Sequence, residues 1–338
     1  MPVGFPDRYH RQRIVPEIGD AGQEALARSH VLVLGVGALG CAAADLLARA
    51  GVGHLRLVDR DVVELTNLQR QALFMEGDID RPKAIVARER LLAVNSEIVV
   101  EARPKDLSFA NALDLLGGVD LLLDGTDNME TRLLVNDASL KANVPWVYAG
   151  AVATQGMVMP IVPGRTACFR CLVSKVPGPG TLPTCDTAGI LNSVSTAVAA
   201  FQVTEGLKIL LGEQARGDLL VYEGWSQELQ RLRLARRKDC PACGCGAYEF
   251  LDAKGRDIVV GLCGRNAMSV DPLRKEPVSL EGVAARLGGV GKIRTADRIL
   301  IAEVEKYSIT LFPDGRAVIK GTDDPAVARS VYARYLGS

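Results

Sequence analysis

The chain has 338 residues, room for about two domains at ~150 residues each, and 48% of them are hydrophobic, which excludes disorder and fibrous architecture. Forty Lys and Arg balance forty Asp and Glu, so no global field recruits nucleic acid or anionic lipid, and neither is expected as a partner. The longest charge-free stretch, 142–164, is broken by Pro145, Pro160 and Pro163 and reads as buried strands rather than a membrane span.

The opening MPVGFPDRYHRQR has no apolar run followed by a small-residue cleavage site, which points to a reducing cytoplasm. A βαβ unit follows: VLVLG at 31–35, the helical LGCAAADLLARAG, and HLRLVD at 54–59. Arg81-Pro82-Lys83 starts another helix with Pro near its first position, and EIVVEA, VDLLLD and PWVYAG supply strands at 97–102, 119–124 and 145–150. Strands alternating with helices predict an α/β fold with a doubly wound, mostly parallel sheet of Rossmann type. Further strands at 151–164 and 218–234 flank one long apolar helix and extend the sheet antiparallel. The basic run RLRLARRK at 231–238 reads as a solvated strand edge. Residues 1–250 are expected to form one domain and 255–338 a small α+β domain. In the latter, DIVVGLCGRNAMSV suggests a strand, SLEGVAARLGG a helix, 298–321 a hairpin turning at Pro313-Asp314-Gly315, and DPAVARSVYARYLG a last helix. GGVGKI at 288–293 is no P-loop, because Arg286 stands where the first glycine belongs.

Gly35-Val36-Gly37-Ala38-Leu39-Gly40 follows a strand and opens a helix, so bare backbone and a positive helix end can approach phosphate. Asp59 ends the next strand, where a carboxylate can bind ribose hydroxyls. VDRDVVELTNLQRQ brings Asn67, Arg70 and Gln71 to the same edge, and Lys83 adds a second cation suited to a triphosphate. LLLDGTDNMETR places Asp124, Asp127, Asn128 and Arg132 beyond another strand's carboxyl end, with Asp127 a candidate Mg²⁺ ligand. An NAD-dependent oxidoreductase would use the glycine turn and Asp59 but leave the cations and DGTDN without a role. His10, His30 and His54 are scattered and read as structural or surface residues.

Cys168-Phe-Arg-Cys171 and Cys240-Pro-Ala-Cys243 are paired hooks suited to a closed tetrahedral Zn²⁺ site. Cys245 is a less regular substitute ligand, and Cys41 is read as packing inside a helix. Cys185, just before the long apolar helix, is either a thiol activated by a helix N-terminus or an unreactive loop residue. Cys263 is not a sulfurtransferase nucleophile, since no arginine closes its loop.

With RYHRQ, GVGALG, VDRDVVELTNLQRQ, RPKA, DGTDN, CFRC, TCDTAG and CPAC in this order over roughly residues 8–246, the chain resembles the ThiF/MoeB/HesA family, bacterial relatives of ubiquitin-activating enzymes. The resemblance implies ATP bound by Gly35, Gly37, Asp59, Asn67, Arg70, Lys83, Asp127 and Asn128. Ala38, Asp61, Thr66, Leu68 and Gln69 of the same segments complete the expected ATP-binding set. Arg11 is implied to reach the partner subunit's site in a homodimer. Ala38 stands where many members have glycine, leaving slightly less room beside the nucleotide. The implied activity is adenylation of the C-terminal glycine of a ubiquitin-like sulfur carrier of the ThiS or MoaD type, ending in Gly-Gly and serving thiamine or molybdopterin biosynthesis. Arg11, Arg70, Lys83, Asp127 and Mg²⁺ would act on the phosphates. Cys185 matches the thiol that captures the acyl adenylate in some members and is a bystander in others. A peptide C-terminus or a modified tRNA base are alternative substrates.

Overall fold

A computed structural model describes residues 8–174, 188–252, 258–262, 266–271, 278–289 and 291–336. Two compact units divide at Asp252, apart from short excursions of the chain. The first is built on an eight-stranded sheet in the order β3-β2-β1-β4-β5-β6-β7-β8. Strands β1 (His30–Leu34), β2 (His54–Val58), β3 (Val99–Arg103), β4 (Leu121–Asp124) and β5 (Trp146–Val152) are parallel. Strands β6 (Gln155–Ile161), β7 (Leu219–Glu223) and β8 (Glu228–Leu232) continue antiparallel from β5, as the sequence predicts.

The strands are apolar along their whole length because helices cover both faces. Successive side chains point to opposite faces, so Val31 and Val33 enter one core while Leu32 and Leu34 enter the other. The first core packs against the helices Ala38–Ala50 and Asn192–Leu210, and the second against Met129–Ala142. In the second core Trp146 and Tyr148 of β5 meet Phe169 edge-on or tilted, with ring centroids 4.9 to 5.9 Å from it. The helix Ala38–Ala50 stops at Gly51, whose φ of +79° and amide bonds to the last turn make a left-handed cap. At the far edge, every residue of β8 is exposed, so the basic run beginning there is a solvated strand edge. No helix among the described residues is long and apolar enough to cross a membrane.

The second unit holds a six-stranded antiparallel sheet in the order β11-β12-β13-β14-β10-β9. Its strands are β9 (Ile258–Leu262), β10 (Ala267–Asp271), β11 (Lys292–Ala296), β12 (Ile299–Val304), β13 (Tyr307–Leu311) and β14 (Ala317–Lys320). Two sequence expectations are corrected here. The single strand read across 257–270 is two antiparallel strands, and the single hairpin is the last turn of a four-strand meander. The extra turns escape notice because Asp297, Arg298 and Glu305 adopt positive φ values of 43°, 67° and 52° without a glycine to mark them. Helices Leu280–Leu287 and Pro325–Leu336 pack on this sheet, the former capped by the Ser279 hydroxyl accepting from the Gly282 amide at 3.1 Å.

The glycine turn generates a stability prediction. A Cβ on Gly40 would stand 1.8 Å from the Gly35 carbonyl oxygen, whereas one on Gly37 would meet nothing nearer than 3.9 Å. Gly40→Ala is therefore expected to cost about 2 kcal/mol or more, because backbone must move, while Gly37→Ala stays within about 1 kcal/mol. Equal denaturation midpoints for the two variants would contradict this account.

Candidate active site

The carboxyl ends of β1, β2 and β4 form one edge, and the strand order reverses between β1 and β4, the position at which open α/β sheets leave a crevice. Gly35 leaves β1 with φ +83°, and its amide donates to the Val58 carbonyl at 2.7 Å. The open space over Gly37 fits an approaching phosphate, since any side chain there would fill it. Beside it Gln71 is buried with its amide nitrogen 3.9 Å from where a Gly37 Cβ would stand, and its Oε1 has no hydrogen-bond partner among the described residues. A nucleotide would offer that oxygen a donor. Sequence reasoning put Gln71 at this edge without giving it a role; its burial is the missing signal.

Asp59 pins the turn. Its Oδ2 accepts from the Val36 amide at 2.6 Å and its Oδ1 from the Asp61 amide at 2.7 Å. Burial raises its carboxyl above the ordinary value, opposed by the nearby Lys83 ammonium. Lys83 opens the helix Lys83–Val94 and is only 2% exposed, with its Nζ 3.5 Å from Asp61 Oδ2. A buried ammonium with one long contact has coordination to spare for an anion. Asn67 is buried in the short turn 65–67, where its Oδ1 accepts from the Glu64 amide at 3.2 Å. Half-buried Arg70 donates to the Thr66 carbonyl at 2.9 Å. Thr66 and Gln69 are exposed on the same segment, and Ala38 and Leu68 are half-buried.

The loop after β4 is held from beneath. Arg132 donates from Nε to Asp124 Oδ2 at 3.1 Å and from Nη2 to the Thr126 carbonyl at 2.6 Å, and it lies 5.1 Å from the Tyr148 ring centroid. Asp124 Oδ1 also accepts from the Thr126 amide and hydroxyl at 2.9 and 2.6 Å. Asn128 caps the following helix by accepting from the Thr131 amide at 2.8 Å. Asp127 is left exposed at the tip, available to a hydrated Mg²⁺. Gln202 of the long helix steadies the same strands by donating to the carbonyls of Asp124 and Val147, each at 2.8 Å. Nothing in its local sequence distinguishes it from a polar interruption of an apolar helix.

Arg11 is placed elsewhere. Its helix, His10–Arg13, is tied through Gln12, which donates to the Ala50 carbonyl at 2.8 Å, at the end of the Ala38–Ala50 helix remote from the glycine turn. Thirteen residues of helix span about 20 Å. Arg11 is exposed, next to Ile14 and Val15, which are 61% and 40% exposed.

The two cysteine hooks converge. Sγ–Sγ separations are 3.6 Å for Cys168–Cys240, 3.5 Å for Cys171–Cys243 and 3.9 Å for Cys168–Cys171. Tetrahedral zinc with bonds of ~2.3 Å would set its sulfurs about 3.8 Å apart. The four sulfurs lie within 4.8 Å of one another and are compatible with zinc. Amides of the Cys240 hook help draw that thiol down to about 7 despite burial. Cys245 is exposed and outside the cluster, and Cys41 is buried with its thiol donating to the Val36 carbonyl at 3.3 Å. Cys185 and Cys263 lie outside the described residues.

One zinc per chain is the expected stoichiometry. A Cys168→Ser, Cys240→Ser double substitution should release it and lower thermal stability, because a closed thiolate site contributes directly to folding. Stoichiometric zinc in that variant, by elemental analysis, would refute the ligand set.

A model of the ThiF family matches residues 9–242. The chain is 39% identical over 335 residues to a sulfur carrier protein ThiS adenylyltransferase of Bacillus subtilis, spanning 98% of this chain and 99% of that protein. It is 41% identical to a sulfur carrier protein adenylyltransferase of Thermus thermophilus over 70% of this chain and 90% of that protein. Among solved structures, Escherichia coli MccB superimposes with a TM-score of 0.62 at 25% identity, over 71% of this chain and 73% of that one. The chain belongs to the ThiF family.

Proposed function

We propose that this chain is an ATP-dependent adenylyltransferase acting on the C-terminal glycine of a ubiquitin-like sulfur carrier ending in Gly-Gly. The observation that carries this reading is the composition of one sheet edge: an open glycine backbone, the nearly buried Lys83, half-buried Arg70 and exposed Asp127, with no histidine among them. The names of the Bacillus and Thermus relatives support the substrate class.

The carrier's carboxylate is ionised at neutral pH, so it needs no general base. Its oxygen bonds to the α-phosphorus of ATP as the bond to the bridging oxygen breaks, giving an acyl adenylate and pyrophosphate. Catalysis then consists of alignment and neutralisation of charge on the phosphates. Gly35 and Gly37 admit the phosphates, Asp59 holds the turn and offers its remaining lone pairs to ribose, and Asn67, Arg70, Lys83 and Asn128 surround the chain of phosphates. Bound Mg²⁺, held through Asp127, would supply further charge neutralisation. An oxidoreductase would leave Lys83, Arg70 and Asp127 idle. The tail beyond 255 is spanned by the Bacillus relative, whereas the Thermus relative aligns with only 70% of the chain; we assign adenylation to residues 1–250 alone.

Arg11 acts in the partner subunit's site in this reading. Its anchoring at the far end of the glycine-turn helix argues against its own site, and the exposed Ile14 and Val15 beside it suit a homodimer interface. Arg11→Ala and Lys83→Ala proteins, each inactive, should regain part of their activity when subunits are exchanged. Confirmed mixed dimers without any recovery would place Arg11 in its own chain.

ATP–pyrophosphate exchange stimulated by a Gly-Gly carrier tests the reaction. Asp127→Ala should lower exchange at least a hundredfold, roughly the range of losing one charge-stabilising group. Cys185→Ala should keep exchange and lose any thiol-sensitive adduct with the carrier, since capture of the acyl adenylate needs a separate nucleophile. Full exchange in Asp127→Ala, or exchange indifferent to trimming the carrier's last glycine, would sink the mechanism.

A further inference from the structure

At the amino-terminal edge of the parallel sheet, opposite the glycine turn, His30 opens β1 and His54 opens β2, and the parallel register sets them side by side. The sequence reading of scattered histidines is corrected for these two. Their rings stack with centroids 3.8 Å apart and planes within 1°. Both Nε2 atoms are buried, and neither has a hydrogen-bond partner among the described residues. Two positions further along, Glu101 of β3 lies beside Arg56 of β2. One donor atom each from His30, His54 and Glu101 fall within 4.8 Å of one another.

Two polar nitrogens buried together without partners weaken a fold that aliphatic side chains would fill without loss. A cation between them removes the deficit. The buried Nε2 atoms of the two rings are the nitrogens left without partners that could offer lone pairs to such an ion. Burial, His54 and Arg56 lower the His30 basicity from its usual value.

We propose that His30, His54 and Glu101 form a second metal site, separate from the four-cysteine cluster, for a borderline divalent ion such as Ni²⁺, Co²⁺ or Zn²⁺. Imidazole nitrogens with one carboxylate suit these ions and not Mg²⁺, which prefers oxygen alone. All three residues are half-buried, so solvent can complete the coordination. Coordination requires the lone pairs to converge, so the rings must turn out of their parallel stack. Glu101 accepts from Arg56 Nε at 2.7 Å and also from Arg103. Its oxygens keep further lone pairs, but two guanidiniums weaken them as donors, and the imidazoles carry most of the affinity. Arg56 is independently anchored by the Leu115 and Gly117 carbonyls at 2.7 and 3.2 Å, so a metal-bound Glu101 does not strand it.

Untagged full-length protein, isolated with its cysteine site loaded, is titrated with Ni²⁺ by calorimetry and absorbance. One added equivalent per chain is expected, without the charge-transfer absorption of a nickel thiolate. A His30→Gln, His54→Gln double variant should bind none, and Glu101→Gln should bind several-fold more weakly. In the unaltered protein, paramagnetic Ni²⁺ should broaden the ring-proton resonances of His30 and His54 and spare those of the only other histidine, His10; this measurement does not depend on the variants folding. No added equivalent, an equivalent retained by the double variant, or equal broadening of all three histidines would overturn the site.

Discussion

The nucleotide edge depends on two loops touching through bare backbone. A Cβ on Gly35 would come within 2.7 Å of the Gly125 carbonyl oxygen, and one on Gly125 within 2.3 Å of the Gly35 oxygen. Gly40 closes the same contact from the helix side, 1.8 Å from Gly35 by the same measure. Two glycines just past the ends of β1 and β4 and a third in the first turn of the Ala38–Ala50 helix therefore meet where the strand order reverses. Side chains at any of these positions would part the strands or close the crevice. The contact sets where Gly37 presents its amide, where the Ala38–Ala50 helix begins, and where the 125–128 loop stands.

That loop and its surroundings gather charge that a sheet core does not welcome. Asp124 is fully buried and Lys83 nearly so, and Arg132 is largely enclosed. Replacing a buried ion pair by apolar residues of similar volume is often neutral or stabilising, so stability does not account for these groups. Their geometry does. Arg132 bridges Asp124, the Thr126 carbonyl and the Ala149 carbonyl, so one guanidinium fixes the base of the loop to both neighbouring strands. With Thr126 and Asn128 also tied down by hydrogen bonds, Asp127 is the loop side chain left exposed at the tip. Lys83 differs in that its one direct contact among the described residues is the 3.5 Å approach to Asp61, with the Asp59 carboxylate also close by, and an ammonium with so few hydrogen bonds is suited to an arriving phosphate.

Much of this arrangement is legible in the sequence wherever chemistry and local spacing coincide. The βαβ alternation, the glycine turn, the DGTDN loop and the cysteine hooks each announce themselves within a dozen residues. Gln202 and the His30–His54 stack do not, because their meaning comes from register between segments far apart in the chain. His30 and His54 look isolated until β1 and β2 are paired, and only the parallel register puts their rings 3.8 Å apart. The meander of the second unit is hidden for a different reason: Asp297 and Arg298 adopt left-handed φ without glycine, and a turn without glycine or proline leaves no mark.

The two edges of the parallel sheet are chemically unlike. The carboxyl edge offers amides, cations and an exposed carboxylate, and no histidine stands there among the described residues. Such a site suits a nucleophile that arrives already ionised, because adding a general base would contribute nothing to the attack and would set a neutral ring among groups selected for phosphate. The amino edge holds both sheet histidines, beside Glu101 and the arginines that pair with it. Strand direction enforces this separation. His30 and Gly35 stand at opposite ends of a five-residue strand, His30–Leu34, so a metal bound by the histidines cannot reach the phosphates, and any influence it has on them must pass through the packing of β1 and β2.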